Sequence, residues 1–99
     1  MFISNASDEE IALLHKTISQ NIKAHRTAKN ISQLELALTI GMKSAAFFGN
    51  AENNTKGKHF NIEHIYKIAK ALDVPILTLL NTPYSIQTVS DNSSSTPVT

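Results

Sequence analysis

Apolar residues recur along this chain at intervals of three and four, and stretches that alternate apolar with polar are almost absent, so the pattern is that of helices rather than strands. The first stripe runs Ile11, Leu14, Ile18, Ile22. Ser7 with Glu10 three residues later has the spacing of a capping box, in which side chain and backbone satisfy each other's free N–H groups. Asp8 and Glu9 place acid where a helix dipole favours it, and Lys23, Arg26 and Lys29 gather where it favours base. These features predict one long amphipathic helix ending near Asn30.

A second capping box, Ser32 with Glu35, opens a short helix through Leu36, Ala37 and Ile40, with Ile31 and Leu36 at the positions of a hydrophobic staple. Gly41 stops it, because glycine takes a positive φ without steric cost and lets the chain turn sharply. Ser44 is placed to cap a third helix from Ala45 to about Glu52. Asn53 to Phe60 has loop composition, with Lys56 and Lys58 in it. Asn61 then caps a fourth helix, with Phe60 and Ile65 as a staple and Ile62, Ile65, Ile68, Ala69 and Leu72 on one face. Pro75 lies near the first turn of a fifth helix, Ile76 to Leu80, where its missing N–H costs nothing. The expected fold is all-α, a compact five-helix bundle over residues 1–81.

Residues 82–99 differ sharply. Half are Ser or Thr, two prolines interrupt them, and Asp91 is the single charge. The segment reads as a disordered polar tail whose removal should change stability little. Tyr84, Ile86 and Val89 are the residues by which it would act as a partner-binding strand.

Composition narrows the function. At 99 residues and 41% apolar, the chain has material for one core. Without cysteine it has neither disulfides nor thiolate metal sites. No apolar run approaches the roughly eighteen residues that cross a bilayer, and acids stand near the N-terminus where a signal peptide carries bases. A cytoplasmic protein is expected. The sequence holds no nucleophile elbow, phosphate-cradling glycine loop or zinc-binding histidine pair: His59 and His64 are five apart, and His15 and His25 ten apart, at the polar margin of the first helix. Neither an enzyme nor a cofactor or metal is expected. The net charge of +1 leaves nucleic-acid binding open only through local placement of charge.

A short capped helix, a glycine turn and a second short helix, framed by helices on both sides, is a helix-turn-helix arrangement. The ordered set Asn21-Ile22-Lys23, Arg26, Lys29, Ile31-Ser32-Gln33, Leu36-Ala37, Ile40-Gly41-Met42, Ile65, Lys67-Ile68-Ala69, Ala71-Leu72, Val74 and Leu79-Leu80 resembles the lambda-repressor-like, Cro/repressor-type (XRE-like) family over residues 18–80. The resemblance implies a sequence-specific regulator whose second helix crosses the DNA backbone and whose third enters the major groove. It places Gln33 where the family touches a phosphate or clamps a recognition side chain. Ser44, Ala45 and Ala46 fall at the exposed start of the recognition helix, Gly49 and Asn50 on its next outward turn, and Phe48 and Ala51 at buried positions. Glu52 matches an acid common near that helix's end, and Asn54 stands where glycine is usual.

Two departures matter. Lys43 is an extra residue before Ser44, and the recognition helix reads Ala45, Ala46, Phe47, Phe48, Gly49, where base-reading polar side chains are common. Alanine packs on thymine methyls but lacks the bidentate hydrogen bonds that separate bases by about 1–3 kcal/mol, leaving Lys43, Ser44 and Asn50 as polar readers. Gly49 reads either as a close approach to the DNA backbone or as a tolerated helix glycine. Lys43, Lys56, Lys58 and His59 surround the expected reading head, opposed locally by Glu52 alone, and Asn53, Asn54 and Thr55 either donate to phosphate or form a turn. The expected partner is double-stranded DNA, bound by a homodimer joined through part of the apolar surface of Ile76, Leu77, Leu79 and Leu80, which exceeds what one side of a short helix can bury, together with Phe2 and Ile3. The alternative is a protein-interaction module, or an antitoxin- or phage-type regulator, using the third helix against a protein. Its motive is that the adjacent Phe47 and Phe48 cannot both face the core.

Overall fold

The computed structural model describes residues 4–82. They form α1 (Asp8–Ala28), α2 (Gln33–Thr39), α3 (Ala45–Glu52), α4 (Ile62–Leu72) and α5 (Ile76–Leu80), with no strand among them. The expectations for Phe2, Ile3 and residues 83–99 lie outside the described residues.

Local chemistry sets each helix start. Ser7 Oγ accepts from the Glu10 N–H at 3.1 Å while Glu10 accepts from the Ser7 N–H at 2.8 Å. Ser32 and Glu35 repeat the box at 3.0 and 2.8 Å. Asn61 opens α4 by the same reciprocal pattern with His64, whose Nδ1 accepts from the Asn61 N–H at 3.1 Å. Positive-φ residues set four of the ends: Asn30 (φ +57) follows α1, Gly41 (φ +93) α2 and Asn54 (φ +55) α3, and Asp73 (φ +57) closes α4.

α1 packs against α3, α4 and α5, α2 against α3 and α4, and α4 against α5. Ile18, Ile22, Leu36, Phe48, Ile65, Ile68, Leu72 and Leu79 meet in one core. The apolar stripes are right in phase but too long. Ile11 and Leu14 were expected inside and are exposed, as is Leu13, because the burying contacts of α1 begin only at Thr17. Ile62, on the expected inner face of α4, is 65% exposed for the same reason: it is the first residue of its helix, beyond the reach of its neighbours. The dimer premise at α5 changes too. Leu79 is fully buried, Ile76 and Leu80 pack against the molecule's own core, and only Leu77 faces solvent. Thr82, expected to begin the tail, is buried.

Candidate nucleic-acid interface

The turn between α2 and α3 is built as its sequence suggests. Gly41 takes φ +93, which brings its own N–H onto the Leu38 carbonyl and the Met42 N–H onto Ala37 at 2.9 Å. Met42 then packs on the core while Lys43 stands in solvent. Ser44 is extended, and its Oγ caps α3 by accepting from the Ala46 N–H at 3.3 Å. Phe48 and Ala51 anchor the inner side of α3, Phe48 edge-on to Phe60 with ring centres 5.1 Å apart. Ser44 and Ala46 are exposed, and Ala45 and Asn50 half-buried, at the outer side. Phe47 does not project freely. It is half-buried against the core, its ring 5.4 Å from that of His64.

A buried polar clamp fixes α3 against α1 and α2. Arg26 Nε and Nη2 donate to the two oxygens of Glu52 at 2.8 and 2.9 Å, and Nη1 donates to the Ile31 carbonyl at 2.7 Å. Gln33 Nε2 adds a bond to Glu52 Oε1 at 2.8 Å. Hydrogen bonding to Glu52, which outweighs burial, raises the Arg26 guanidinium pKa further, so Arg26 keeps its charge at every ordinary pH. This arrangement corrects two expectations. Arg26 does not serve the carbonyl end of α1 but is buried, and Glu52 does not oppose the surface lysines because its charge is taken up inside. The signal was present in the sequence, since Arg26 is the next position of the stripe Ile18, Ile22, and an arginine there demands a buried partner.

Gln33 also explains Gly49. A Cβ at Gly49 would sit 3.1 Å from Gln33 Oε1, so the close approach at this glycine is made by the protein's own side chain.

The basic loop is folded back on α3. The Thr55 N–H donates to the Asn50 carbonyl at 2.8 Å, and Thr55 Oγ1 donates to Asn50 Oδ1 at the same distance. Asn54 (φ +55), Lys56 (φ +56) and Gly57 (φ +66) are left-handed, which gives a reason for glycine or asparagine at Asn54. Lys43, Lys56 and Lys58 are exposed, and the ion pairs among the described residues, Arg26–Glu52 and Lys67–Glu63, involve none of them. His59 turns instead toward α1, where its ring stacks on His15 with centres 3.8 Å apart. Burial, and next the neighbouring His59, lower the His15 pKa. Thus Ala45, Ala46 and Asn50 share α3 with its cap Ser44, Gln33 joins them through Glu52, and the loop that carries Lys56 and Lys58 is tied to Asn50 through Thr55. The part of this site missed in the sequence is the clamp beneath it.

Among the described residues no three His, Asp or Glu are grouped to hold a metal ion, and no helix is long and apolar enough to cross a membrane. A family model described as helix-turn-helix matches residues 22–79. Among solved structures, the chain is similar to the N-terminal DNA binding domain of SinR from Bacillus subtilis, at 31% identity and a TM-score of 0.60, covering 71% of this chain and 99% of that one. No curated protein matches the chain. With more than half of its length matched, and α2, the Gly41 turn and α3 in place, the chain belongs to the XRE-type helix-turn-helix family.

Proposed function

We propose that this protein is a sequence-specific DNA-binding transcriptional regulator, acting as a homodimer that lays α3 of each copy in the major groove with α2 across the backbone. The observation that carries the reading is electrostatic. Glu52, the acid of α3, is neutralised inside by Arg26 and hydrogen-bonded by Gln33, while Lys43, Lys56 and Lys58 stay exposed without carboxylate partners among the described residues. A nearly neutral chain thereby presents a locally basic edge beside its recognition helix. The neighbour whose name states DNA binding has the same fold.

On this reading Ser44, Ala45, Ala46 and Asn50 meet base edges, and Lys43, Asn54, Lys56 and Lys58 meet the backbone. Gln33 acts from beneath, setting the angle of α3 through Glu52. Asn50 has its Oδ1 bonded to Thr55, so its amide N–H groups are the part best placed to read. The interaction-module alternative loses its motive, because Phe47 has a place against the core.

Selection from random duplex DNA followed by mobility shift is the direct test. Affinity should fall with salt at a log–log slope of roughly −4 to −8 for a dimer neutralising about five to nine phosphates, and a protected site should show two half-sites about 34 Å or a multiple apart. A salt-independent or unselective interaction would exclude the proposal.

A further inference from the structure

Two bonds tie Asn50 to the loop after α3, and they do different things. The Thr55 N–H donates to the Asn50 backbone carbonyl at 2.8 Å, which places Thr55, while Thr55 Oγ1 donates to Asn50 Oδ1, which orients the amide. Oγ1 also lies 3.4 Å from the Asn50 backbone oxygen, so the hydroxyl sits between the two oxygens of one residue. Left-handed residues on either side, Asn54 and Lys56, hold the bend that brings it there. Being β-branched, Thr55 has few rotamers through which to lose the contact. Oδ1 is thereby directed at the loop, whereas Nδ2 has no hydrogen-bond partner among the described residues.

We propose that Thr55 is a specificity-determining residue of the interface: it commits Asn50 to read with its NH2 group, and so to prefer guanine over adenine at the base pair it meets. The inference rests on the proposed role of α3 as the recognition helix. An unconstrained asparagine amide matches adenine, because its oxygen accepts from the N6 amino group while its nitrogen donates to N7. That contact needs oxygen and nitrogen side by side against the base. With Oδ1 turned to Thr55, Nδ2 leads, and its two N–H groups suit the paired acceptors N7 and O6 of guanine. Adenine puts an amino group where guanine has O6, so donor would face donor. Ala45 and Ala46 have no hydrogen-bonding side chains with which to offset this choice. Thr55 itself acts through Asn50, as a positioning residue.

Mobility shifts with duplexes varied at each base pair of a selected site read the effect. Asn50→Ala identifies the pair that Asn50 meets, where the natural protein should bind guanine over adenine by about 5- to 140-fold. Thr55→Val keeps the backbone N–H and the branched shape but removes the donor. The guanine-to-adenine ratio should then fall by about tenfold at that pair alone, with the salt slope and far-UV circular dichroism unchanged. Thr55→Ser, which keeps a hydroxyl, should restore the ratio. A merely structural role for Thr55 would shift affinity for all sequences together and leave the ratio as it was, which would overturn the proposal. So would a natural protein that prefers adenine or cytosine at that pair, because the amide would then be presenting its oxygen. Asn50→Ala with the natural base preference would overturn it as well. In these three cases selective DNA binding persists and the proposed function stands, whereas a natural protein without sequence selectivity would remove both.

Discussion

Arg26 lies on the apolar stripe of α1, one turn past Ile22, and the fold accepts a guanidinium there because Glu52 meets it with both oxygens. Removing one partner strands the other, so Glu52→Leu should cost about 3–5 kcal/mol in urea denaturation, and the double variant Arg26→Met, Glu52→Leu should recover much of that loss. A loss below 1 kcal/mol would show that water reaches the pair. Gly49 is coupled to the same cluster through the 3.1 Å approach of Gln33. Alanine in a helix is worth about 1 kcal/mol over glycine, yet a Cβ at 49 pushes on the amide that bonds Glu52. Gly49→Ala should therefore give its full gain only in a Gln33→Ala background and less in the natural one, a coupling that a double-mutant cycle reads directly.

At the scale of elements, the proposed function divides reading, by α3, from positioning, by the loop after it. Lys56 already occupies the left-handed region, as Asn54 does, so exchanging Lys56 for alanine at a comparable backbone cost changes mainly charge. Lys56→Ala and Lys58→Ala should weaken binding to all duplexes alike and flatten the salt slope by about one unit per phosphate lost. Ser44→Ala and Asn50→Ala should instead relax preference at one or two base pairs by about 1–3 kcal/mol each. Four substitutions without effect on DNA would move the interface elsewhere. Ser44→Ala carries an added cost of about 1 kcal/mol in stability from the lost cap, which melting curves separate from recognition.

Across the whole molecule, two histidines make contacts that suit their neutral form. His15 of α1 stacks on His59 of the basic loop, and His64 accepts the Asn61 N–H at the start of α4. Burial is the main cause that lowers both the His15 and the His64 pKa below 6.5. A lowered histidine pKa means that the unfolded chain takes up the proton first, so their contribution is intact above about pH 6.5 and is lost as pH falls through the folded values. The melting temperature should thus decline from pH 7.5 to 5.5. His15→Gln should remove part of the decline, and His64→Gln, which keeps a capping acceptor at the same position, should remove another part. An unchanged slope in both variants would trace the acid sensitivity to other groups.

The helix starts were legible because capping is local: Ser7, Ser32, Ser44 and Asn61 are read within three residues of themselves, and each caps the helix expected of it. The Gly41 turn and the order of five helices followed from the same short-range chemistry and from periodicity, and with them the family. Periodicity gives the phase of a stripe but not how far along it a neighbour extends. That is why Leu14 and Ile62 were placed inside and stand outside, and why α5 seemed to have apolar surface to spare when its own core takes Ile76, Leu79 and Leu80. The partners of Arg26, Glu52, Gln33 and Gly49 lie up to 26 residues apart, and His15 meets His59 from a different element. Such pairings depend on how helices cross, which no local pattern encodes, so the sequence by itself determined where the chain makes and ends its helices. Only the packing of those helices decided which charges vanish into the core and which remain at the surface.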